Sequence, residues 1–127
     1  MTNLPIYYNF EKALTKLEEF VSTPITEDRD RSGIIQAFEF SFELAWKSLQ
    51  KALIAQGFEI RSPKHAIEVG FRTTFLKVAD EDIWKDMLKD RNLTVHTYKE
   101  ELAVSVVNNI KDKYLDVLKS LLAELKK

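Results

Sequence analysis

The chain has 127 residues, 45% of them hydrophobic and 31% charged, which is the composition of one soluble globular domain over residues 1–127. The absence of cysteine excludes disulfides, thiolate metal sites and cysteine nucleophiles, and two histidines do not favour a structural zinc site, so we expect no metal and no cofactor. The net charge of −1 is not that of a general nucleic-acid-binding protein. No apolar run of ~18 residues occurs, so we expect no membrane span. The N-terminal residues lack a signal-peptide pattern, so we expect a cytoplasmic protein.

Abundant leucine, alanine, glutamate and lysine, with only three glycines and three prolines, predict an all-α fold. We expect an up-down bundle of about five helices with a four-helix core. The first predicted helix covers residues 4–22, with Pro5 at an early position. Its apolar residues recur at three- and four-residue steps and form one stripe: Ile6, Phe10, Leu14, Leu17 and Val21.

The second predicted helix covers residues 28–56 and ends before Gly57. Ile34, Phe40 and Trp46 lie beside or opposite its main apolar stripe. A helix that is apolar on more than one face is buried on more than one face. This helix is therefore either the centre of the bundle or part of a subunit interface. The main stripe consists of Ile35, Phe38, Phe42, Ala45, Leu49 and Leu53.

A short third helix is predicted from Ser62-Pro63 to Gly70, with Ser62 as N-cap. His65 in its first turn is interpreted as a surface residue rather than a ligand. The connector that follows is expected to pack against the core through its apolar residues: Phe75, Leu76 and Val78.

The fourth predicted helix has Asp80 as N-cap and ends at Arg91-Asn92, with Ile83, Trp84, Met87 and Leu88 as its apolar residues. The fifth runs from about residue 97 to residue 125, and we expect it to pack antiparallel on the second helix, with a coiled coil as the alternative. Its near-heptad seam consists of Leu102, Val106, Ile110, Val117, Leu121 and Leu125, with Tyr114 and Leu118 alongside.

Residues 91–98 gather a guanidinium, an imidazole and a phenol between two predicted helices. An imidazole with a pKa near ~6.5 suits removal of a proton from a ribose 2′-hydroxyl, and a guanidinium suits charge on the neighbouring phosphate. On one continuous helix Arg91 and His96 would lie about 140° apart. Thr97 and Glu100, however, form a capping-box pattern that predicts a helix boundary before them. A boundary would allow the two side chains to converge.

Glu39 and Glu43 are an i, i+4 pair of like charge on the second helix, which is unfavourable unless a cation lies nearby. One interpretation is a solvated face with local pairs, such as Glu43 with Lys47. The other is that Glu39 or Glu43 orients Arg91 or His96.

The R-x4-H-x-Y pattern of Arg91, His96 and Tyr98 resembles the R-x4–6-H motif of the HEPN family, named for higher eukaryotes and prokaryotes nucleotide-binding. The form ending in tyrosine resembles the branch known as nucleotidyltransferase substrate-binding proteins. The sequence DRSGIIQAFEFSFELAWK at residues 30–47, Ser62-Pro63, and residues 84–88 also resemble that branch, so the resemblance covers almost the whole chain.

This resemblance implies a homodimer with the motif at a cleft between the protomers, and a minimal nucleotidyltransferase partner encoded by a neighbouring gene. In toxin–antitoxin pairs of this kind the HEPN protein is a metal-independent ribonuclease toxin. The partner restrains it by adding AMP to the tyrosine of the motif, here Tyr98. The alternative is a non-catalytic subunit that binds a nucleotide or other substrate for the nucleotidyltransferase.

The roles carried over are specific. His96 is the general base or acid, Arg91 stabilises charge on the scissile phosphate, and Tyr98 positions the substrate. Asn92 either holds a phosphate oxygen or caps the fourth helix. RNA cleavage would leave a 2′,3′-cyclic phosphate. The neutral net charge favours the binding subunit, the complete Arg91–His96–Tyr98 set favours the ribonuclease, and a helical scaffold with a degenerate site is a third possibility.

Overall fold

The computed structural model describes residues 4–96 and 99–127, and these residues form an all-α bundle, as predicted. Two 3-10 turns, Val78–Asp80 and Thr94–His96, flank the fourth helix, and a π turn at Ile110–Tyr114 joins the last two helices. A search of the described ranges finds no helix with the length and hydropathy to cross a membrane. The helices are α1 Pro5–Ser22, α2 Asp28–Ala55, α3 Pro63–Gly70, α4 Glu81–Leu93, α5 Glu100–Asn109 and α6 Leu115–Leu125.

Helix α2 is the central helix, because it packs against α1, α3, α5 and α6. All six residues of its predicted main stripe are buried. Ile34 and Trp46 beside the stripe are also buried, whereas Phe40 is 62% exposed. The central position predicted for this helix is therefore correct, and one large aromatic side chain remains on its outer face.

Helix α6 runs antiparallel to α1, as two ion pairs show. Lys119 pairs with Glu18 and Lys126 pairs with Glu11, the second pair at 2.9 Å between Nζ and Oε2. Residue numbers therefore increase along α6 in the direction in which they decrease along α1. The core between these helices and α2 is apolar, with the side chains of Phe10, Leu17 and Leu118 completely buried.

The two ends of α2 are fixed by local hydrogen bonds. The Asp30 carboxylate accepts the backbone N–H of Glu27 at 2.9 Å, and the Glu27 side chain accepts the N–H of Asp30, which completes a capping box. At the other end Gly57 has φ of 99°, and the N–H of Phe58 donates to the carbonyl of Leu53 at 3.1 Å. This left-handed termination is the one that Gly57 predicts.

The start of α3 also follows the prediction. The Ser62 hydroxyl accepts the backbone N–H of His65 at 3.1 Å, and Pro63 occupies the first helical position. The His65 side chain is exposed. The expectation of a surface histidine is therefore confirmed.

The predicted end of α4 at Arg91-Asn92 is wrong. The helix continues through Leu93 and then tightens into the 3-10 turn that ends at His96. One reason is that the Thr94 side chain is buried there, with its hydroxyl donating to Oε2 of Glu39 on α2. A boundary does precede His96, but the chain stays helical across it.

Two further expectations need correction, and the predicted N-cap position of Asp80 is confirmed without a side-chain hydrogen bond. Helix α5 begins at Glu100 with Lys99 at the N-cap, and Thr97, the expected N-cap, lies outside the described residues. Asp80 occupies the N-cap position of α4 without a side-chain capping bond, because it belongs to the preceding 3-10 turn. Val78 is 72% exposed instead of packed, since it begins that turn at the surface.

Candidate functional site

The guanidinium of Arg91 lies against helix α2. Its Nη2 donates to Oε1 of Glu43 at 3.2 Å, across 48 positions of sequence. The Arg91 side chain remains 37% exposed. Of the two predicted carboxylates, Glu43 is thus the one that contacts Arg91, and it leaves part of the guanidinium open to a solvent-borne anion.

The Glu43 carboxylate is the centre of a small polar cluster. Besides Arg91 it receives the Lys47 ammonium at 3.0 Å and the Trp46 indole N–H at 3.2 Å. Burial raises the pKa of Glu43, but the hydrogen bonds from Lys47 and Trp46 and the charges of Lys47 and Arg91 outweigh it, so the pKa lies below its usual value. Glu43 is therefore a fixed anion that holds three donors together.

Two of those donors were not predicted as part of a site. Lys47 was interpreted only as the i, i+4 partner of Glu43, and Trp46 only as an apolar side chain of α2. The i, i+4 spacing does predict that Lys47 meets Glu43. The contact of Arg91 with Glu43 is one of the alternatives that the like-charged pair Glu39 and Glu43 indicated.

Glu39 contacts the 3-10 turn rather than Arg91 or His96. The Thr94 hydroxyl lies 2.5 Å from Oε2 of Glu39 and 2.8 Å from the Arg91 carbonyl, and the Thr94 side chain is buried. Glu39 therefore holds the turn that carries His96. Since Glu43 meets Arg91 and Glu39 meets Thr94, this end of α4 runs antiparallel to α2.

Asn92 and His96 occupy exposed positions. The Asn92 side-chain oxygen accepts from Nη1 of Arg91 at 3.4 Å, so Asn92 neighbours the guanidinium and does not cap α4. His96 ends the 3-10 turn, and its carbonyl accepts the N–H of Lys99 at 3.1 Å. Tyr98, the predicted substrate-positioning and modified residue, lies outside the described residues.

Chemically, the arrangement presents one partly open guanidinium and one exposed imidazole on the same end of α4. A phosphate oxygen can accept hydrogen bonds from the open side of Arg91, and the imidazole carries two ring nitrogens that can form hydrogen bonds. Over residues 4–96 and 99–127, no cluster of three or more histidine, aspartate or glutamate side chains has the geometry to hold a metal ion.

A groove adjoins this cluster on the outer side of α2. It has a volume of about 580 Å³, and Glu39 and Glu43 form its edge toward the motif. A second groove of about 330 Å³ continues it along α1 and α2, and Lys16 and Phe40 line both. Phe40 lies opposite the core stripe of α2, and its exposure depends on whether another helix covers that face. The periodicity of the sequence therefore did not predict this exposed surface.

Comparisons with known proteins are consistent in fold and family. The family model described as nucleotidyltransferase substrate binding protein like matches residues 6–127. The crystal structure of a protein from Thermus thermophilus is 34% identical to this chain, with a TM-score of 0.86 over 93% of this chain and 99% of that one. A search of curated proteins gives no significant match.

Proposed function

The chain belongs to the nucleotidyltransferase substrate binding protein like family, which has the HEPN-like helical fold, and we propose that it binds a nucleotide phosphate at Arg91 and His96 for a nucleotidyltransferase partner. The observation that carries this proposal is the partly exposed Arg91 guanidinium held by Glu43. The family name associates these proteins with a nucleotidyltransferase. The partner proposed here is a minimal nucleotidyltransferase encoded by a neighbouring gene.

The charges around Arg91 favour a small phosphate ligand. Glu43 offsets part of the positive charge of Arg91 and Lys47, and Glu39 adds a second carboxylate nearby. A long polyanion would meet both carboxylates, whereas one phosphate group fits against the open side of the guanidinium. The net charge of −1 agrees with such a local site.

This function is tested by AMP binding measured with isothermal titration calorimetry. Arg91→Ala is expected to weaken the affinity about tenfold or more, because it removes a charge-assisted hydrogen bond to phosphate. Arg61→Ala is the matched control, since Arg61 is an exposed arginine paired only with Glu59 in the described contacts. Equal affinities of the two variants would contradict the role of Arg91.

A second candidate is metal-independent RNA cleavage at the same site, favoured by the exposed His96 that follows Arg91 on the same helical end. His96 would take the proton of the ribose 2′-hydroxyl, whose oxygen forms a bond to phosphorus while the 5′-oxygen leaves and takes up a proton. Arg91 would stabilise the added negative charge. The products are a 2′,3′-cyclic phosphate and a 5′-hydroxyl.

The partner would restrain this activity by adenylylating Tyr98. The phenol would release its proton to solvent, its oxygen would bond to the α-phosphorus of ATP, and pyrophosphate would leave. The attached AMP would add bulk and negative charge at Tyr98, two positions after His96 in the sequence. Intact mass of the purified protein reports this modification directly, and Tyr98→Phe should abolish it.

Cleavage is measured on RNA in buffer with a chelator, using protein that carries no AMP. His96→Ala should lower the rate by roughly 10²–10⁴-fold. His65→Ala is the control because His65 is equally a surface histidine but lies on α3. No cleavage by the folded, unmodified wild type, together with AMP binding, would leave the binding subunit as the function.

We further propose that two copies associate through the groove on α1 and α2. Its exposed Phe40 and Phe20 form an apolar patch beside Glu39 and Glu43, with Lys16 at the rim. A two-fold contact on this surface would bring the two Arg91–His96 sites to one cleft. Light scattering after size exclusion should give the mass of a dimer.

A further inference from the structure

A second polar cluster is centred on Asp90, the residue before Arg91. Oδ2 of Asp90 accepts the Tyr114 hydroxyl at 2.6 Å and the Asn109 side-chain amide at 2.9 Å. Tyr114 is completely buried, and Asp90 is half-buried. The functions proposed above assign no role to these three residues, although Asp90 directly precedes Arg91.

The π turn is what allows both donors to reach one oxygen atom. Asn109 and Tyr114 are five positions apart and would lie about 140° apart on an α-helix. A π turn closes between residues i and i+5, so it brings positions 109 and 114 to the same side. Both ends of the irregular segment between α5 and α6 thus donate to the Asp90 carboxylate, and π turns occur frequently at functional sites.

Tyr114 also connects the cluster to α2. Its ring stacks on Phe38 with centroids 5.6 Å apart and an angle of 25° between the planes. Phe38 precedes Glu39 and lies just over one turn before Glu43, so the same stretch of α2 receives Tyr114, Thr94 and Arg91. The last turn of α4 is therefore held from two sides.

We propose that Asp90, Asn109 and Tyr114 are positioning residues that fix the last turn of α4, so that Arg91 presents its guanidinium to Glu43 and to a phosphate. Adjacent helix positions lie about 100° apart, so Asp90 faces the π turn while Arg91 faces α2. The inference rests on the proposed phosphate-binding role of Arg91.

The protonation state of the cluster suits this role. Burial raises the pKa of Tyr114 well above its usual value, and the hydrogen bond to Asp90 and the charges of Asp90 and Asp86 raise it further. The phenol therefore stays protonated at neutral pH and remains a donor. A charge-assisted bond from a buried, fully packed ring is a rigid anchor for the backbone of α4.

The test is Tyr114→Phe, which removes the hydroxyl and keeps the ring on Phe38. Tyr7→Phe is the matched control, because Tyr7 is a buried tyrosine on α1 whose substitution also removes one phenol hydroxyl. Two quantities are measured: AMP affinity by calorimetry, and the Nε–H signal of Arg91 in ¹H–¹⁵N spectra without ligand. That signal is assigned by its loss in Arg91→Ala.

Tyr114→Phe should shift the Arg91 signal and weaken AMP binding about tenfold, which corresponds to roughly 1.4 kcal/mol, while Tyr7→Phe changes neither. Asp90→Asn keeps an acceptor oxygen and should have a smaller effect on both. It also serves as the test variant if Tyr114→Phe does not fold.

An unshifted Arg91 signal in both Tyr114→Phe and Asp90→Asn would overturn the positioning role. A shifted signal in a protein whose wild type does not bind AMP would instead support the positioning role and contradict the proposed phosphate site. The spectroscopic readout therefore separates failure of this inference from failure of the proposed function.

Discussion

At the scale of single residues, Glu43 contacts three polar side chains of the candidate site, those of Arg91, Lys47 and Trp46. Its carboxylate carries one negative charge among two cations and an indole N–H. It can orient Arg91, but it also competes with a phosphate for the same guanidinium. The two effects act on different quantities, because orientation adds to the stability of the fold whereas competition lowers ligand affinity.

We predict that Glu43→Gln lowers the free energy of unfolding at pH 7 by about 0.5–1 kcal/mol, a small value because the side chain is a third exposed and solvent screens its ion pairs. The pKa of Glu43 is lower in the folded state than its value of ~4.3 in the unfolded state. The stabilisation that Glu43 provides is therefore present above pH ~4.3 and is lost as the pH falls through the folded-state pKa. Urea unfolding from pH 7 to pH 3 should therefore show a constant difference down to about pH 5 that disappears in acid.

The control is Glu59→Gln, since Glu59 is a highly exposed carboxylate paired only with Arg61 among the described contacts. It should change stability by less than ~0.5 kcal/mol. A difference between wild type and Glu43→Gln that grew as the pH fell would show that the pKa of Glu43 is raised instead of lowered.

At the scale of helices, the glycine within α2 and the glycine just after its C-terminus differ in conformation. Gly57 has φ of 99° with open space around its Cβ position, so a side chain there costs conformational energy alone. Gly33 lies inside α2, where an added Cβ would make an ordinary contact with Phe20 at 3.7 Å. The same substitution should therefore have opposite effects at the two positions.

We expect Gly57→Ala to lower the free energy of unfolding by about 1–2 kcal/mol, because alanine is strained in the left-handed conformation. Gly33→Ala should raise it by roughly 0.5–1 kcal/mol, because alanine loses less backbone entropy in a helix. Urea denaturation of both variants measures the pair. Destabilisation of similar size at both positions would indicate that contact with Phe20 outweighs the gain in helix propensity.

Residues that act on their own helix differ from contacts between helices in how well the sequence predicts them. Ser62 and Gly57 act through neighbouring residues, and the apolar stripe of α2 repeats with the helical period, so these patterns predict the local structure. The π turn depends on Asp90, which comes from another helix, and the contact of Arg91 with Glu43 joins residues 48 positions apart. Such contacts follow from packing and not from periodicity, so they could not be predicted in detail.

At the scale of the whole molecule, the outer face of α2 decides whether the site belongs to one chain or two. Phe40 lines both grooves and is 62% exposed. Arg91, Glu43 and Lys47 all come from one chain, so the proposed phosphate contact with Arg91 does not require a second chain. Cleavage of RNA at a shared cleft would need two chains in addition.

Phe40→Asp should therefore separate the two candidate functions. It places a charge in the apolar patch, so we expect light scattering to show a monomer and calorimetry to show AMP binding within about threefold of wild type, since a threefold change is only ~0.6 kcal/mol. RNA cleavage, measured on the same samples, should fall by at least tenfold if the active cleft is formed by two copies.

Val78→Asp is the control, because Val78 is a 72% exposed apolar residue outside both grooves. If Phe40→Asp stays dimeric, the interface lies elsewhere; if it is monomeric and still cleaves RNA, one chain carries the complete active site.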